Sequence, residues 1–168
     1  MNEGVEIMAD EKELTITRDF NAPREVVWKA WTDPDTFMQW WGPHEFTTPI
    51  SKIDLRVGGE YFSCMRSPDG QDFCSKGVYR EIVELERLVM ADSFADKEGN
   101  TVAPTYHGLS SNFPMEMQIM VTFEEQNGKT KLIVKHSDVT NISETELKDM
   151  QQGWNESLDK LAELLVKS

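Results

Sequence analysis

The chain has 168 residues, of which 39% are hydrophobic and 28% are charged, and these fractions are typical of one globular domain with its own hydrophobic core. The formal net charge of −13 disfavours nucleic acid and anionic membrane surfaces as partners, because the field of the protein would repel their phosphates. No stretch approaches the roughly 20 apolar residues of a membrane span and the N-terminus lacks a secretion signal, so we expect a cytoplasmic protein without membrane insertion.

The first part of the chain is predicted to contain one strand followed by two short helices. Residues 1–12 are polar and acidic without periodicity, which predicts a disordered tail before a single domain at 13–168. Residues 14–20 alternate apolar and polar side chains, as in a strand with one buried face. Pro23 suits the first position of one helix, and Asp33 caps the other, which Gly42-Pro43 ends. The apolar sides of these helices carry Val27, Ala30 and Trp31, and then Phe37, Trp40 and Trp41.

From residue 46 to residue 139 the dominant period is two, which predicts six further strands. They cover residues 47–57, 60–66, 73–83, 87–94, 115–125 and 131–138. Short turns separate most of them, and such turns require antiparallel neighbours. The exception is the connection 95–114, which contains Tyr106 and His107 and is either a gate over a binding site or a passive surface loop.

The C-terminal stretch 142–168 is predicted to form one long helix. Ser143 and Glu146 form a capping box, and Ile142 with Leu147 forms a hydrophobic staple around it. An apolar stripe follows at spacings of three and four: Leu147, Met150, Trp154, Leu158, Leu161 and Leu165. Such a stripe needs a sheet to lie on. We therefore predict an α+β fold in which a curved seven-stranded antiparallel sheet wraps around the C-terminal helix.

Motifs spread over residues 14–166 resemble one known family. They are Arg18 through Ala22-Pro23, Trp28, Thr32-Asp33-Pro34, Trp40-Trp41-Gly42-Pro43, residues 54–59, Pro68-Asp69-Gly70, residues 77–82, and Gly153-Trp154. Together they resemble the Hsp90 ATPase activator homologue (AHSA1-like) family of the START-like, or SRPBCC, superfamily. The resemblance implies the helix-grip fold, with an apolar cavity between sheet and helix in which many superfamily members bind lipids, polyketides or other hydrophobic molecules.

Strand parity predicts which side chains face this cavity. The inward sets are Met115, Met117, Ile119, Val121 and Phe123; Leu132, Val134 and His136; Phe73, Ser75, Gly77, Tyr79 and Glu81; Tyr61, Ser63 and Met65; and Leu88, Met90, Asp92 and Phe94. The wall is rich in methionine and aromatic residues, which suits irregular apolar ligands, although the same side chains could simply fill a core.

The candidate ligand-binding residues combine this wall with the long helix, the loop and the tryptophan pair. They are Trp41, Tyr61, Ser63, Met65, Phe73, Tyr79, Glu81, Met90, Phe94, His107, Met117, Ile119, Trp154 and Leu158. Core packing is expected for Trp40, whereas Trp41 lies either at the cavity mouth or between helices.

The inward polar residues Glu81, Asp92 and His136 need an explanation, because a buried carboxylate without a partner is unfavourable. They could pair with Arg56 or Arg66, contact a ligand, or indicate that the parity assignment of a strand is wrong. They could also act as general acid and base in a cyclase-like or hydratase-like enzyme. Arg56 with Asp54 is interpreted mainly as an ion pair at a strand end.

Other chemistries find little support in the sequence. There is no nucleophile-elbow motif, no glycine-rich phosphate loop, and no metal-ligand spacing among the histidines, so we expect no cofactor and no metal. Cys64 and Cys74 flank a hairpin turn and could face each other on adjacent strands. We interpret them as a reduced pair with outward thiols, and a redox role is the alternative.

The leading functional hypothesis is a binding protein for a small hydrophobic molecule, not an enzyme. The alternatives are an enzyme that uses the same cavity, and an interaction partner of an Hsp90-type chaperone or a stress-response protein. The sequence is compatible with a monomer or a homodimer, the latter through an edge strand such as 47–57.

Overall fold

A computed structural model describes residues 13–166 of the chain. The predicted N-terminal tail and the last two residues of the predicted helix lie outside the described residues. The elements in order are β1 (Leu14–Phe20), α1 (Arg24–Thr32), α2 (Pro34–Phe37), β2 (Thr47–Ile53), β3 (Glu60–Arg66), β4 (Asp72–Val83), β5 (Arg87–Ala95), a 3₁₀ helix (Pro104–His107), β6 (Glu116–Gln126), β7 (Lys129–His136) and α3 (Glu144–Val166). No helix within this part of the chain is long and apolar enough to span a membrane.

The seven strands form one antiparallel sheet in the order β1-β7-β6-β5-β4-β3-β2. Strands β2 to β7 pair with their neighbours in sequence because short turns connect most of them, and β1 joins the sheet beside β7. The sheet and the long α3 form the predicted helix-grip architecture. The α3 cap is also as predicted, because the backbone N–H of Glu146 donates to Ser143 Oγ over 3.1 Å and the Glu146 carboxylate accepts from the backbone N–H of Ser143.

Several element boundaries differ from the prediction. β2 ends at Ile53, because residues 54–59 form a tight turn that contains the ion pair between Arg56 Nε and Asp54 Oδ2 at 2.9 Å. β6 begins at Glu116, which leaves Met115 outside the sheet and about half exposed. α2 ends at Phe37, and the following residues continue as turns.

A β-bulge in β4 corrects the predicted orientation of Glu81. Tyr79 is opposite Met90 and Glu81 is opposite Val89, so Arg80 is an extra residue on β4. One extra residue reverses the alternation of faces from that point onward. Glu81 is therefore exposed on the outer side of the sheet, where it binds Arg87.

The main core lies where α1 and α3 pack on β1, β6 and β7. The Trp31 and Trp154 rings stack with centroids 5.9 Å apart, and Trp28 packs edge-on against Phe123 at 5.1 Å. Trp40 is fully buried, as predicted, and its indole N–H donates to the carbonyl of Ala30 over 2.9 Å. This aromatic cluster fixes the position of α3 above the sheet.

The two cysteines lie on the outer face of the sheet, as predicted, but they do not form the predicted reduced pair. Cys64 and Cys74 lie directly opposite each other on β3 and β4, and they are joined in a disulfide. Both are buried beside Ala95. The prediction that they lie across from one another on the outer face was correct, whereas the prediction that they are reduced was wrong.

Candidate functional site

A cavity of about 420 Å³ lies between the inner face of the sheet and α3. Its wall is mostly apolar, and strands β2 to β7, the connection after β5, the helical segments and α3 all contribute to it. The apolar part of the wall consists of Trp31, Phe37, Trp41, Ile53, Phe62, Met65, Phe73, Tyr79, Met90, Phe94, Leu109, Phe113, Met117, Ile119, Met150 and Trp154. The pleat of the strands places alternate side chains on this face, and α3 closes it from the other side.

Most of the predicted ligand-binding residues line this cavity. They are Trp41, Tyr61, Ser63, Met65, Phe73, Tyr79, Met90, Phe94, His107, Met117, Ile119 and Trp154. Two do not. Leu158 is fully buried in the core under α3, and Glu81 is on the opposite side of the sheet because of the bulge.

Other wall residues were missed as ligand-binding candidates. Trp31 and Phe37 come from the short helices, Ser51 and Ile53 from β2, and Leu109 and Phe113 from the connection after β5. Met150 was on the predicted helix stripe, so a signal for it existed. Nothing in the sequence indicated how deeply the connection after β5 reaches over the sheet.

The most unusual polar feature of the cavity is a contact between Tyr61 and Asp92. The Tyr61 hydroxyl donates to Asp92 Oδ1 over 2.6 Å. Tyr61 is on β3 and Asp92 is on β5, and each lies opposite Gly77 of the intervening β4. A Cβ atom on residue 77 would lie 2.2 Å from the Tyr61 hydroxyl oxygen, so the tyrosine can cross β4 only because residue 77 is glycine.

The environment of Asp92 favours its protonated form. Burial raises the pKa of the Asp92 carboxyl to about 7, and the hydrogen bond from Tyr61 opposes this shift only in part. Burial, together with the nearby Asp92, also raises the pKa of Tyr61 well above its ordinary value. Asp92 lies deep in the protein but is not completely inaccessible. Because Asp92 lines the cavity, we assign its remaining accessible surface to the cavity.

His136 is the second polar group of the wall that the sequence singled out. Its Nε2 accepts a hydrogen bond from the indole N–H of Trp154 over 2.9 Å, which leaves the ring proton of neutral histidine on Nδ1. Nδ1 has no hydrogen-bond partner among residues 13–166. Burial lowers the pKa of His136 to about 4, so the ring is neutral at physiological pH.

The three candidate catalytic residues do not come together. Glu81 lies outside the cavity and binds Arg87 through both of its carboxylate oxygens, which lowers its pKa. Asp92 is opposite Met117, whereas His136 is opposite Ile119, two strands away from Asp92. Their Cα atoms are therefore roughly 12 Å apart on strand geometry. The structure does not support an acid–base set made of these three groups.

The two arginines proposed as partners for the inward carboxylates have other partners. Arg66 binds Asp72, with 2.7 Å between Nε and Oδ1, and Arg56 binds Asp54.

Among residues 13–166, no group of three or more His, Cys, Asp or Glu side chains is arranged to hold a metal ion.

One segment of the cavity wall is held by Lys160 of α3. Its ammonium group contacts the backbone carbonyls of Trp41, Gly42, Pro43 and Phe46 at 3.0–3.4 Å. Trp41, Gly42 and Pro43 line the cavity. Lys160 therefore fixes this segment against α3.

The connection after β5 covers another side of the cavity. His107 Nε2 is 2.8 Å from the carbonyl oxygen of Ala95, and Phe113 is buried in a small cluster with Met117 and Ile142. Tyr106, in contrast, is mostly exposed. His107, Leu109 and Phe113 all belong to the wall. A gating role for this connection stays a prediction.

The fold and the cavity define the class of the protein as a helix-grip protein with an apolar internal cavity. The sequence profile of the family described as "Activator of Hsp90 ATPase homolog 1-like protein" matches residues 21–166. The chain therefore belongs to this family.

Solved structures with the same fold come from several bacteria. A Mycobacterium smegmatis protein is 25% identical, with 91% of this chain and 90% of that chain covered and a TM-score of 0.73. The AHSA1 protein of Silicibacter pomeroyi is 24% identical over 94% of this chain and 100% of that chain, with a TM-score of 0.73. An Arthrobacter aurescens protein is 21% identical over 99% and 91% of the two chains, with a TM-score of 0.79. No curated protein sequence matches the chain.

Proposed function

We propose that the protein binds a small hydrophobic molecule in the cavity between the sheet and α3. The observation that carries this proposal is the cavity itself. Protein interiors are normally packed with few voids larger than a water molecule, whereas a volume of about 420 Å³ is in the range of ligand sites. Elsewhere, under α1 and α3, the side chains of this chain form a buried aromatic core. The cavity therefore differs from the core of the same protein.

The chemistry of the wall supports an apolar ligand of irregular shape. Met65, Met90, Met117 and Met150 contribute flexible, polarizable side chains to the wall. Such side chains can adapt to different apolar surfaces. The polar groups are few, and in ligand sites such groups fix the orientation of the bound molecule.

Some of these polar groups have no partner in the protein. Nδ1 of His136, Nε1 of Trp31 and Oγ of Ser51 are buried without a hydrogen bond among residues 13–166, and all three residues belong to the wall. An unpaired buried group of this kind is destabilising by about 1–3 kcal/mol. These three atoms have almost no accessible surface, so a ligand would relieve that penalty only by moving the side chains around them.

Filling the cavity tests the proposal. Met117→Trp and Ile119→Trp each add an indole to the wall, and we expect each to weaken binding of the neutral fluorescent probe N-phenyl-1-naphthylamine at least about tenfold while the protein remains folded. Met120→Trp is the matched control, because Met120 is on the same strand with its side chain on the other face. Probe affinity that is unchanged in both cavity variants would contradict the proposal.

A partner role for an Hsp90-type chaperone is the second candidate, and the family description is what favours it. The test is the ATPase rate of a purified Hsp90-type chaperone with and without this protein. An unchanged rate at saturating protein would remove this candidate. Catalysis in the cavity stays a prediction that depends on Asp92, since Glu81 is on the outside of the sheet.

A further inference from the structure

We infer that the molecule bound in this cavity carries a basic amine, and that its ammonium group binds the carboxylate of Asp92. The inference rests on the proposed function and names the chemical class of the ligand. It follows from the surroundings of Asp92, from the way Tyr61 is positioned, and from the charges at the cavity wall.

Asp92 has no counter-ion in the protein. Its Oδ1 accepts the Tyr61 hydroxyl, its Oδ2 accepts no hydrogen bond from residues 13–166, and no Lys or Arg of this part of the chain forms an ion pair with it. Other carboxylates of the sheet are paired: Asp72 with Arg66, and Glu81 with Arg87. A carboxylate in an apolar cavity needs a cation to be ionised. A ligand ammonium would supply that cation at Oδ2.

The position of the carboxyl is fixed by a specific arrangement of three strands. Gly77 leaves room for the Tyr61 ring to cross β4, and the hydroxyl then holds one oxygen of Asp92. This leaves the second oxygen for a ligand in a fixed direction. Tyr79 packs beside Tyr61 with ring centroids 5.4 Å apart, so aromatic rings adjoin the same place. Ring faces of this kind also attract ammonium groups.

The charges of the cavity wall favour a cation over an anion. Glu146 and Asp149 of α3 line the cavity, and the basic wall side chains are Lys52 and His107. His136 is neutral at physiological pH because burial lowers its pKa. The net charge of −13 adds a long-range attraction for cations. An anionic ligand, such as a fatty acid, would be repelled by the carboxylates of the wall and by the net negative charge.

Two other head groups could interact with a carboxyl at this place. An alcohol could hydrogen-bond to Asp92 in either protonation state, and a carboxylic acid could share a proton with it. These ligands differ from an amine in how their affinity changes with pH, because only an ammonium requires Asp92 to be ionised. The comparison must therefore use one apolar chain with different head groups.

The experiment compares n-decylamine, n-decanol and decanoate, with binding followed by the fluorescence of the wall residues Trp31, Trp41 and Trp154. At about pH 8 we expect n-decylamine to bind about tenfold more tightly than n-decanol, because a charge-assisted hydrogen bond replaces a neutral one. Below about pH 7 the affinity for the amine should fall by up to about tenfold per pH unit, since Asp92 then takes up a proton.

Variants assign the effect to the carboxyl. In Asp92→Asn the preference for the amine should disappear while n-decanol still binds. In Tyr61→Phe the preference should persist, because the carboxylate remains. Other titratable groups of the wall are Lys52, Tyr61, Tyr79, His107, His136, Glu146 and Asp149. His107→Gln removes the other imidazole of the wall, and the pH dependence should persist in this variant.

The outcomes separate the inference from the proposed function. Equal or tighter binding of n-decanol or decanoate at about pH 8 would overturn the inference and leave hydrophobic binding standing. An amine preference that survives in Asp92→Asn would also overturn it. Failure of all three molecules to bind would overturn both the inference and the proposed function.

Discussion

Replacing Asp92 with asparagine should stabilise the unliganded protein at neutral and higher pH. Asparagine has nearly the same shape and can still accept the Tyr61 hydroxyl, but it cannot ionise. The reasoning depends on the carboxyl of Asp92 having a pKa of about 7 in the folded protein, against an ordinary value of 3.8.

The sign of the effect follows from proton binding. Below about pH 4 the carboxyl is protonated in both the folded and the unfolded chain, so its shifted pKa has no effect on stability. Between about pH 4 and pH 7 the unfolded chain releases this proton and the folded protein keeps it, so the wild-type protein loses stability as the pH rises. The full loss corresponds to about 4 kcal/mol, because each pH unit contributes about 1.4 kcal/mol.

The assay is urea denaturation of both proteins at several pH values. The free energy of unfolding of Asp92→Asn minus that of the wild type should be near zero at about pH 4 and should rise by up to about 4 kcal/mol by about pH 8. The difference is used because shifted carboxyls elsewhere, such as Glu146, affect both proteins equally. A difference that stays constant with pH within about 1 kcal/mol would refute the reasoning, because Asp92 would then be solvated.

Three further predictions concern stability, and each is measured by chemical or thermal denaturation. Gly77→Ala should destabilise the protein by at least about 2 kcal/mol, because the new Cβ would lie 2.2 Å from the Tyr61 hydroxyl oxygen. Gly153→Ala in α3 is the control: its new Cβ would meet only one atom, at 3.9 Å, and the change should stabilise the protein by about 0.5–1 kcal/mol. Equal effects of the two changes would contradict this. Lys160→Met should cost about 2 kcal/mol through the lost contacts to backbone carbonyls, and the exposed control Lys148→Met should cost less than about 0.5 kcal/mol. The cysteines of the disulfide are separated by 10 positions, and its reduction should lower the free energy of unfolding by about 3 kcal/mol. Thiols that react with a thiol reagent in the unreduced, denatured protein would argue against the bridge.

The periodicity of the sequence predicted the architecture well. Alternating side chains identified every strand of the sheet, and the stripe with the capping box identified α3. These patterns are reliable because each strand and the long helix bury one face only. The spacing of apolar residues along the sequence therefore follows the period of each element. Family motifs pointed to the same fold.

The site was predicted less completely, for reasons that lie in tertiary structure. The bulge at Arg80 adds one residue without any distinctive sequence signature, and it moved Glu81 from the cavity to the outer face. Parity placed Tyr61, Gly77 and Asp92 on one face, but it could not show that the glycine allows the tyrosine to reach across a strand. That contact depends on the register of three strands at once.

The cysteine pair and the core boundary show the same limit. Pairing across the hairpin was accessible from the sequence, whereas the bond between Cys64 and Cys74 depends on the exact register of β3 and β4. Leu158 lies on the same helix face as Trp154, but only Trp154 reaches the cavity, because Leu158 is fully buried in the packed core one turn further on. Helix periodicity cannot show where a packed core gives way to a cavity.

Native mass spectrometry, of the protein as purified and again after incubation with N-phenyl-1-naphthylamine, tests the central claim most directly. The account predicts a complex at near-unit stoichiometry, either with a molecule retained from cells or with the added probe, and it predicts a smaller fraction of complex in Ile119→Trp. The mass of the polypeptide alone in both preparations would contradict the claim that this cavity is a binding site.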